Sequence, residues 1–148
     1  MSQLKIFEYT WQMFSDDSKK LALFIKQQKF DRLIGVASGG LPLLTKLYNT
    51  TKLPYELVKC SSYDGQIKKA INIEFGVPFI EGKKILIVDD ISDTGETLAK
   101  VVERCEEISL EGIIICTATL CMKPHTKFSP HWCSRIIGND YWINFPWE

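Results

Sequence analysis

The sequence predicts an α/β fold in which helices flank a central, mostly parallel sheet. The first observation is a series of short apolar runs rich in β-branched residues, typical of strands covered on both faces. These runs lie at 33–37, 55–60, 85–88, 112–119 and 132–137. The second observation is that helical patterns alternate with the runs, as in sheets whose strands pair in parallel through right-handed crossovers. The third is length, because 148 residues fit a single domain, 1–148.

The helices are predicted from caps and from apolar spacing. Ser15 precedes two aspartates, a pattern typical of an N-cap with acids in the first turn, and predicts a helix over 16–28. A glycine turn after the first strand leads to Pro42, which suits the first turn of a helix over 42–48. Apolar residues spaced by three and four predict a third helix over 98–108.

The segment 61–78 interrupts this alternation of strands and helices. It is polar, contains glycines and lysines, and shows weak periodicity. Long segments of this kind are often functional. We therefore predict that 61–78 is an insert, either a mobile lid over a binding site or a small hairpin.

The segment 85–98 carries the strongest chemical signal. Its apolar run ends in Asp89 and Asp90, and a short polar loop containing Gly95 then leads into the third helix. Open α/β sheets bind ligands at the carboxyl ends of their strands. The free N–H groups and positive dipole end of the helix suit a phosphate, whereas the two carboxylates suit sugar hydroxyls or a hydrated Mg²⁺. Together these features predict a sugar-phosphate site.

Composition limits the classes of function. The formal net charge is zero, so nothing requires a polyanionic partner, and we expect no nucleic-acid partner. No apolar run reaches membrane-spanning length and the first residues lack the apolar core of a signal peptide, so we expect a cytoplasmic protein without a membrane span. Five cysteines without a Cys-x-x-Cys motif favour buried, reduced thiols over metal ligands or a disulfide framework.

The order of residues in 85–98 resembles the phosphoribosyl pyrophosphate signature of type I phosphoribosyltransferases. An apolar strand, two acids and Asp-Thr-Gly-x-Thr follow one another without interruption, and the Gly-Lys-[Ser/Thr] of a Walker A loop is absent. The resemblance implies the fold of this family, with a flexible lid or hood insert, and Mg²⁺ as a cofactor on Asp89 and Asp90. The residues that it assigns to phosphoribosyl pyrophosphate are Ser38, Gly39, Gly40, Asp89, Asp90, Ser92, Asp93, Thr94, Gly95, Glu96 and Thr97.

A second glycine turn lies at 37–42, where the resemblance places the pyrophosphate loop. That loop often carries a strained, sometimes cis, non-proline peptide in the family. Members with this Gly-Gly pair usually have Arg or Lys where this chain has Ser38. The charge of the pyrophosphate therefore needs another partner, for which Lys68 or Lys69 of the insert are candidates. The alternative is a plain tight turn.

The segment 120–148 resembles the purine-binding hood of the xanthine–guanine branch of the family, as does the start of the insert. By this resemblance Trp142 stacks on the purine, Lys123 donates to the purine O6, and the backbone of Trp142 and Ile143 faces the 2-substituent. Glu148 is a further candidate for contacting a 2-amino group. Indole stacking on a flat base is physically reasonable, and a cation disfavours an exocyclic amine, so adenine should be a poor substrate. Core packing is the alternative interpretation of Trp142.

The resemblance implies transfer of the phosphoribosyl group to a 6-oxopurine (guanine, xanthine or hypoxanthine), which gives the nucleoside 5′-monophosphate and pyrophosphate in purine salvage. Asp93 is the catalytic candidate and would exchange a proton with purine N7. The insert would close over the site to exclude water. Relatives are usually dimers or tetramers, so we expect a homodimer or homotetramer.

Two alternatives remain open. One is a non-catalytic regulator of the same fold that binds phosphoribosyl pyrophosphate, although such proteins need a DNA-binding domain or a basic face for RNA. The other keeps the enzyme and changes the base, to a pyrimidine or to hypoxanthine alone. The preference among guanine, xanthine and hypoxanthine depends on pocket geometry that the sequence does not predict.

Overall fold

The computed structural model describes residues 3–64 and 69–148, without the side chains of 62–64, 69 and 70. The strands are β1 (Lys5–Glu8), β2 (Arg32–Ala37), β3 (Tyr55–Asp64), β4 (Lys69–Phe75), β5 (Lys84–Ser92), β6 (Ile114–Met122), β7 (Trp132–Ile136) and β8 (Tyr141–Asn144). The helices are α1 (Trp11–Gln28), α2 (Leu41–Thr51) and α3 (Glu96–Glu107).

Six strands form the central sheet in the order β4-β3-β2-β5-β6-β7. All neighbours in it run parallel except β3 and β4, which are antiparallel. This arrangement confirms the predicted α/β fold with a mostly parallel sheet. Strand β5 lies between β2 and β6; β2 pairs with it only up to Val88, whereas β6 pairs with it up to Ser92.

Both faces of the sheet are covered, which explains the continuous apolar runs. Successive side chains of a strand point to opposite faces. Leu86 and Val88 of β5 belong to a buried cluster with residues of α1 and α2. Ile85 and Ile87 belong to a second buried cluster with residues of α3. A strand buried in this way must be apolar at every position until it reaches the edge of the sheet.

Helix α1 begins earlier than predicted, and the proposed Ser15 cap is wrong. The helix starts at Trp11, and the hydroxyl oxygen of Thr10 caps it by accepting a hydrogen bond from Met13 N at 3.1 Å. The acidic pair after Ser15 misled the prediction because one of its members is buried. Asp17 accepts hydrogen bonds from the Tyr9 hydroxyl, the Ser134 hydroxyl and Arg135 Nε at 2.5, 2.5 and 2.8 Å. Asp17 therefore connects α1 to β7 through hydrogen bonds, and it does not lie at the start of the helix.

A two-stranded parallel sheet joins the two ends of the described chain and was not predicted. Strand β1 pairs with β8, with Ile6 opposite Trp142 and Phe7 opposite Ile143. Both strands are four residues long, which is too short for a clear alternation of apolar and polar positions. The pair matters for function because β8 carries two of the candidate purine contacts.

The insert 61–78 contains a hairpin, one of the two predicted alternatives. Strand β3 runs on to Asp64 and pairs antiparallel with β4, with Asp64 opposite Lys69. Lys68 and the side chain of Lys69, the candidate pyrophosphate partners, lie outside the described residues. Strand β6 is displaced from its predicted range: Gly112 has a positive φ of 84°, and the strand begins at Ile114 and continues to Met122.

In residues 3–64 and 69–148, no helix is long and apolar enough to cross a membrane. All five cysteines are free, and each is buried or half-buried.

Candidate active site

The phosphate loop, residues 92–97, joins β5 to α3 at the carboxyl edge of the sheet. Gly95 is the N-cap of α3 and has a positive φ of 92°. A Cβ atom at this position would lie 2.6 Å from Phe128 N, so the position requires glycine for its conformation and for space. The Thr94 hydroxyl accepts a hydrogen bond from Glu96 N at 3.3 Å. The loop thus presents the start of a helix to a cavity of about 240 Å³ lined by 89–95, 97 and 98.

Hydrogen bonds connect the phosphate loop to the segment 123–128. Ser92 is buried, and its hydroxyl donates to Phe128 O at 2.9 Å. Lys123 N donates to Ser92 O at 3.0 Å, and Lys127 N donates to Thr94 O at 2.9 Å. The Ser92 side chain, predicted to contact phosphoribosyl pyrophosphate, is thus directed to this segment, where it fixes the loop.

The pyrophosphate loop, residues 37–42, packs directly against the carboxylates of β5. Its Ala37–Ser38 peptide bond is cis. A Cβ atom at Gly39 would collide with the Asp90 carboxylate, and one at Gly40 would lie 2.7 Å from Val36 O. Gly40 N already donates to Val36 O at 2.8 Å. Of the described backbone amides of 38–40, those of Ser38 and Gly39 are left to receive an anion.

Asp89 and Asp90 form a buried pair of carboxyl groups at the end of β5. Asp90 N donates to Asp89 Oδ1 at 2.8 Å. Burial, and then the neighbouring charge of Asp90, raise the pKa of Asp89 well above its usual value, and burial also raises the pKa of Asp90. Neither carboxylate forms an ion pair with any described residue. Two adjacent carboxylates that lack a cationic partner have the donor chemistry that Mg²⁺ prefers.

A cleft of about 770 Å³ extends between the two loops. Its lining residues are 36–39, 41, 42, 60, 61, 71, 89, 90, 94, 96, 97, 147 and 148. Four of these are acidic (Asp89, Asp90, Glu96 and Glu148), and no described lysine or arginine is among them. The described part of the cleft, which includes Ser38, is therefore strongly acidic.

A smaller cavity of about 260 Å³, the base pocket, adjoins the cleft. The Lys123 side chain lies in it and is almost fully buried, with 4% exposed. Lys123 Nζ donates to Gly138 O at 3.0 Å and to Tyr141 O. Two carbonyl oxygens thus hold the ammonium group, which has three N–H donors and keeps one for a ligand.

Trp142 and Ile143, the other candidate purine contacts, also line the base pocket. Trp142 is 55% exposed, and Ile143 is buried against the main core. The exposure of Trp142 argues against the core-packing alternative, because a core tryptophan would be mostly covered.

The structure brings the predicted halves of the site together. Ile91 and Asp93 line both the base pocket and the phosphate-loop cavity. Glu148 lines both the base pocket and the cleft. The three cavities therefore surround one strand end, as a ligand with a phosphate, a sugar and a base would require.

Two residues of the site were not given a role from the sequence. His125 lines the base pocket, and its Nε2 lies 2.6 Å from Asp93 Oδ1. Trp147 lines the cleft and stacks on Phe145 at 4.9 Å between ring centroids. Among the described residues, its buried Nε1 has no partner in good hydrogen-bond geometry. Burial raises the pKa of Asp90, and the nearby Trp147 side chain partly opposes this shift. His125 and Trp147 both lie in the segment 120–148 that resembles the purine-binding hood, but no motif assigns either of them a contact.

Comparison with known proteins gives a consistent result. A family model for the phosphoribosyl transferase domain matches residues 9–148. A xanthine-guanine phosphoribosyltransferase of Nitratidesulfovibrio vulgaris (strain Hildenborough) is 27% identical over 146 residues, which are 97% of this chain and 85% of that enzyme. An orotate phosphoribosyltransferase of Sulfurisphaera tokodaii is 31% identical over 93 residues, which are 63% of this chain and 45% of that enzyme. The second match thus spans less than half of the relative's length.

A solved structure shows the same architecture. The purine phosphoribosyltransferase from Pyrococcus horikoshii Ot3 superposes with a TM-score of 0.86 at 29% identity, over 98% of this chain and 95% of that one. These matches confirm the predicted type I phosphoribosyltransferase fold and the predicted likeness to the xanthine–guanine branch. The family match includes the phosphate loop, the pyrophosphate loop and the base pocket. The chain therefore belongs to the phosphoribosyl transferase domain family.

Proposed function

We propose that this protein transfers the phosphoribosyl group of phosphoribosyl pyrophosphate to a 6-oxopurine, giving a nucleoside 5′-monophosphate and pyrophosphate in purine salvage. The observation that carries the proposal is the adjacency of two cavities, one at the acidic end of β5 and one that contains Lys123 and Trp142. Relatives that act on xanthine and guanine, or on purines, align over nearly the whole chain.

The phosphoribosyl group would occupy the cavities at the carboxyl edge of the sheet. The start of α3, with Thr94, Gly95 and Thr97, would bind the 5-phosphate. The amides of Ser38 and Gly39 would face the pyrophosphate. Asp89 and Asp90 would hold the ribose hydroxyls, directly or through a metal ion. Glu96 would contribute through its backbone amide, because its carboxylate would repel a phosphate.

The Asp89–Asp90 pair fits Mg²⁺, and we propose that these two residues bind it. The ion would supply positive charge that screens the pyrophosphate leaving group. It would also compensate the two buried carboxylates, whose raised pKa values reflect the cost of charging them in the apo protein.

The base pocket would select a 6-oxopurine through hydrogen-bond chemistry. The remaining N–H of Lys123 would donate to the O6 atom, whereas the 6-amino group of adenine would present a second donor to it. Trp142 would stack on the base, and the backbone of Trp142 and Ile143 would face the 2-substituent. The carboxylate of Glu148, at the junction of base pocket and cleft, would be within reach of a 2-amino group.

Asp93 would exchange a proton with purine N7 as the bond to the sugar forms. It lies at the start of the phosphate loop, lines the base pocket and is half exposed, so it can approach a bound base. A transition state with oxocarbenium character makes such proton transfer valuable, because the base becomes more acidic as its N9 bonds to the sugar. The hairpin in 61–78 would close over the bound substrates. A cytoplasmic location and a homodimer or homotetramer remain predictions.

One observation favours the alternative of a non-catalytic binding protein. The described part of the cleft is acidic and contains no lysine or arginine, so it offers no cation to stabilise a departing pyrophosphate. A regulator would bind phosphoribosyl pyrophosphate and Mg²⁺ without turning over any base.

A spectrophotometric assay distinguishes these functions. Purified protein is mixed with phosphoribosyl pyrophosphate and MgCl₂ and supplied in turn with guanine, xanthine, hypoxanthine, adenine, uracil and orotate. The proposal predicts nucleotide formation with at least one 6-oxopurine and little or none with the other bases. Calorimetric binding of phosphoribosyl pyrophosphate without turnover of any base would favour the regulator, and preferential turnover of uracil, orotate or adenine would contradict the assigned base pocket.

A further inference from the structure

The base pocket contains a hydrogen bond that no sequence motif predicted. His125 Nε2 lies 2.6 Å from Asp93 Oδ1. Both side chains are about half exposed, with 46% and 53% of their surface accessible. Among the described residues, His125 is the one side chain hydrogen-bonded to Asp93, and Asp93 Oδ2 has no partner.

The backbone around His125 is fixed on both sides, so its ring is not on a free loop. His125 N donates to Asn139 Oδ1 at 3.2 Å, which connects it to the turn before β8. Two residues further on, Lys127 N donates to Thr94 O at 2.9 Å, which connects the same segment to the phosphate loop. The imidazole is thereby held between the strand that carries Trp142 and the loop that carries Asp93.

We propose that His125 is a positioning residue that orients the Asp93 carboxylate toward the bound base. The inference rests on the proposed function, since it assumes that Asp93 exchanges a proton with purine N7. The terminal torsion of an aspartate is broad, so an exposed carboxylate samples many orientations. A hydrogen bond from Nε2 to Oδ1 removes much of this freedom and leaves Oδ2 available for the base. Correct alignment of a proton-transfer group contributes directly to the rate.

Neighbouring charged groups do not substitute for this contact. Lys123 Nζ donates to the carbonyl oxygens of Gly138 and Tyr141, and its remaining N–H is assigned to the base. Lys127 and Glu96 line a cavity of about 490 Å³ whose lining does not include Asp93. Glu148 also lines the base pocket, but as a carboxylate it cannot donate a hydrogen bond to the Asp93 carboxylate.

A double-mutant cycle in steady-state kinetics tests the inference. The variants are H125A, H125Q, D93A and the double variant D93A/H125A. We expect H125A to lower kcat by about tenfold, with the KM for the purine changed by no more than about twofold. H125Q should recover most of the loss, because its amide nitrogen can donate from the position of Nε2. Adding H125A to D93A should cause no further loss, because His125 acts through Asp93.

The second of the chain's two histidines provides a matched control. His131 Nδ1 contacts Thr117 N at 3.0 Å on the β6–β7 side of the sheet, and we expect H131Q to keep wild-type kinetics. Thermal melts of all variants report folding. An H125A variant with wild-type kcat, or equal losses from H125A in the wild-type and D93A backgrounds, would overturn the inference.

Histidine NMR separates this inference from the proposed function. In D93A the ring signals of His125 should shift, while those of His131 should not. Unchanged His125 signals would show that the contact does not form in solution and would overturn the inference even in an active enzyme. If the wild type transfers phosphoribosyl to no base, the proposed function fails, and the assigned role of His125 fails with it.

Discussion

The strand end that carries Asp89 and Asp90 and the hood segment that carries Trp142 differ in burial and in how they are assembled. The two carboxylates are buried at the centre of the sheet, and the loop that follows them is continuous in sequence. Trp142 is 55% exposed, and its strand pairs with β1 from the far end of the chain. The strand end with its phosphate loop is thus buried and encoded by one continuous segment, whereas Trp142 is exposed and its strand is placed by pairing with a distant segment.

This difference predicts how substitutions in each half affect ligand binding and stability. A substitution of Asp89 or Asp90 removes a carboxylate that no neighbouring side chain can replace, and it changes the charge buried in the protein. A substitution in the base half removes contact area from a partly exposed wall and should weaken base binding without affecting the fold. The following predictions test the contrast, in order of decreasing effect.

The largest effect is expected at Asp93, where the two halves meet. Asp93→Ala should lower kcat by about 10²- to 10⁴-fold, because it removes the group that we propose exchanges a proton with the base. The KM values of both substrates should change little, since the carboxylate acts mainly in the transition state. Steady-state kinetics with guanine or xanthine measures this. A turnover number equal to that of the wild type would remove Asp93 from the mechanism.

Asp90→Asn should lower the activity of the protein and raise its melting temperature in metal-free buffer. Removing a proposed metal ligand should reduce kcat/KM for phosphoribosyl pyrophosphate by more than about tenfold. Because burial raises the pKa of Asp90, the folded protein is more stable when this carboxyl is neutral than when it is charged. This stabilisation is fully present below the pKa of Asp90 in the unfolded chain. It is lost as the pH rises through the higher pKa of the folded protein. In metal-free buffer, the variant should therefore melt a few degrees higher than the wild type at pH 7.5, and the difference should shrink toward pH 4.

Calorimetric melts at several pH values, with and without MgCl₂, measure the effect of Asp90→Asn. MgCl₂ should raise the melting temperature of the wild type more than that of the variant. A variant that melts lower than the wild type at pH 7.5 without metal would contradict the account of the carboxyl pair.

Trp142→Ala should affect the base half alone. Base stacking is worth about 1–3 kcal/mol, and an indole that is half exposed should lie at the lower end, so the KM for the purine should rise by about fivefold. The KM for phosphoribosyl pyrophosphate and the melting temperature should stay near wild type, because Trp142 contributes little to the core. Trp142→Phe should recover most of the affinity. A large drop in melting temperature would instead support a structural role.

The smallest effect is expected for Ser92→Ala. The Ser92 hydroxyl donates to Phe128 O and holds the phosphate loop on the segment 123–128. The substitution also removes the hydrogen bond between Ser92 Oγ and Thr126 Oγ1 at 2.9 Å. Loss of two such hydrogen bonds costs about 2 kcal/mol, so the melting temperature should fall by several degrees. The KM for phosphoribosyl pyrophosphate should rise only severalfold, since the loop loses support but no direct contact. A loss of binding as large as that of Asp90→Asn would show that the hydroxyl contacts the substrate.

The comparison also shows what the sequence could predict. The run 85–88, the following acids and Gly95 predicted the central strand, the loop and the helix, because each feature depends on neighbours in the sequence. The buried Asp17 was misinterpreted as part of a helix start, because its partners Ser134 and Arg135 come from a distant strand. Pairing of β1 with β8 and the contact of His125 with Asp93 depend in the same way on long-range packing, and short strands and single histidines give no periodic signal.

The central claim is that one nucleotide bridges the buried strand end and the base pocket that contains Lys123 and Trp142. Isothermal titration calorimetry with guanosine 5′-monophosphate, ribose 5-phosphate and guanine tests it directly. The account predicts that the nucleotide binds far more tightly than either fragment and excludes both of them from the protein. If the nucleotide bound no more tightly than ribose 5-phosphate, and guanine still bound beside it, the two cavities would not form one site.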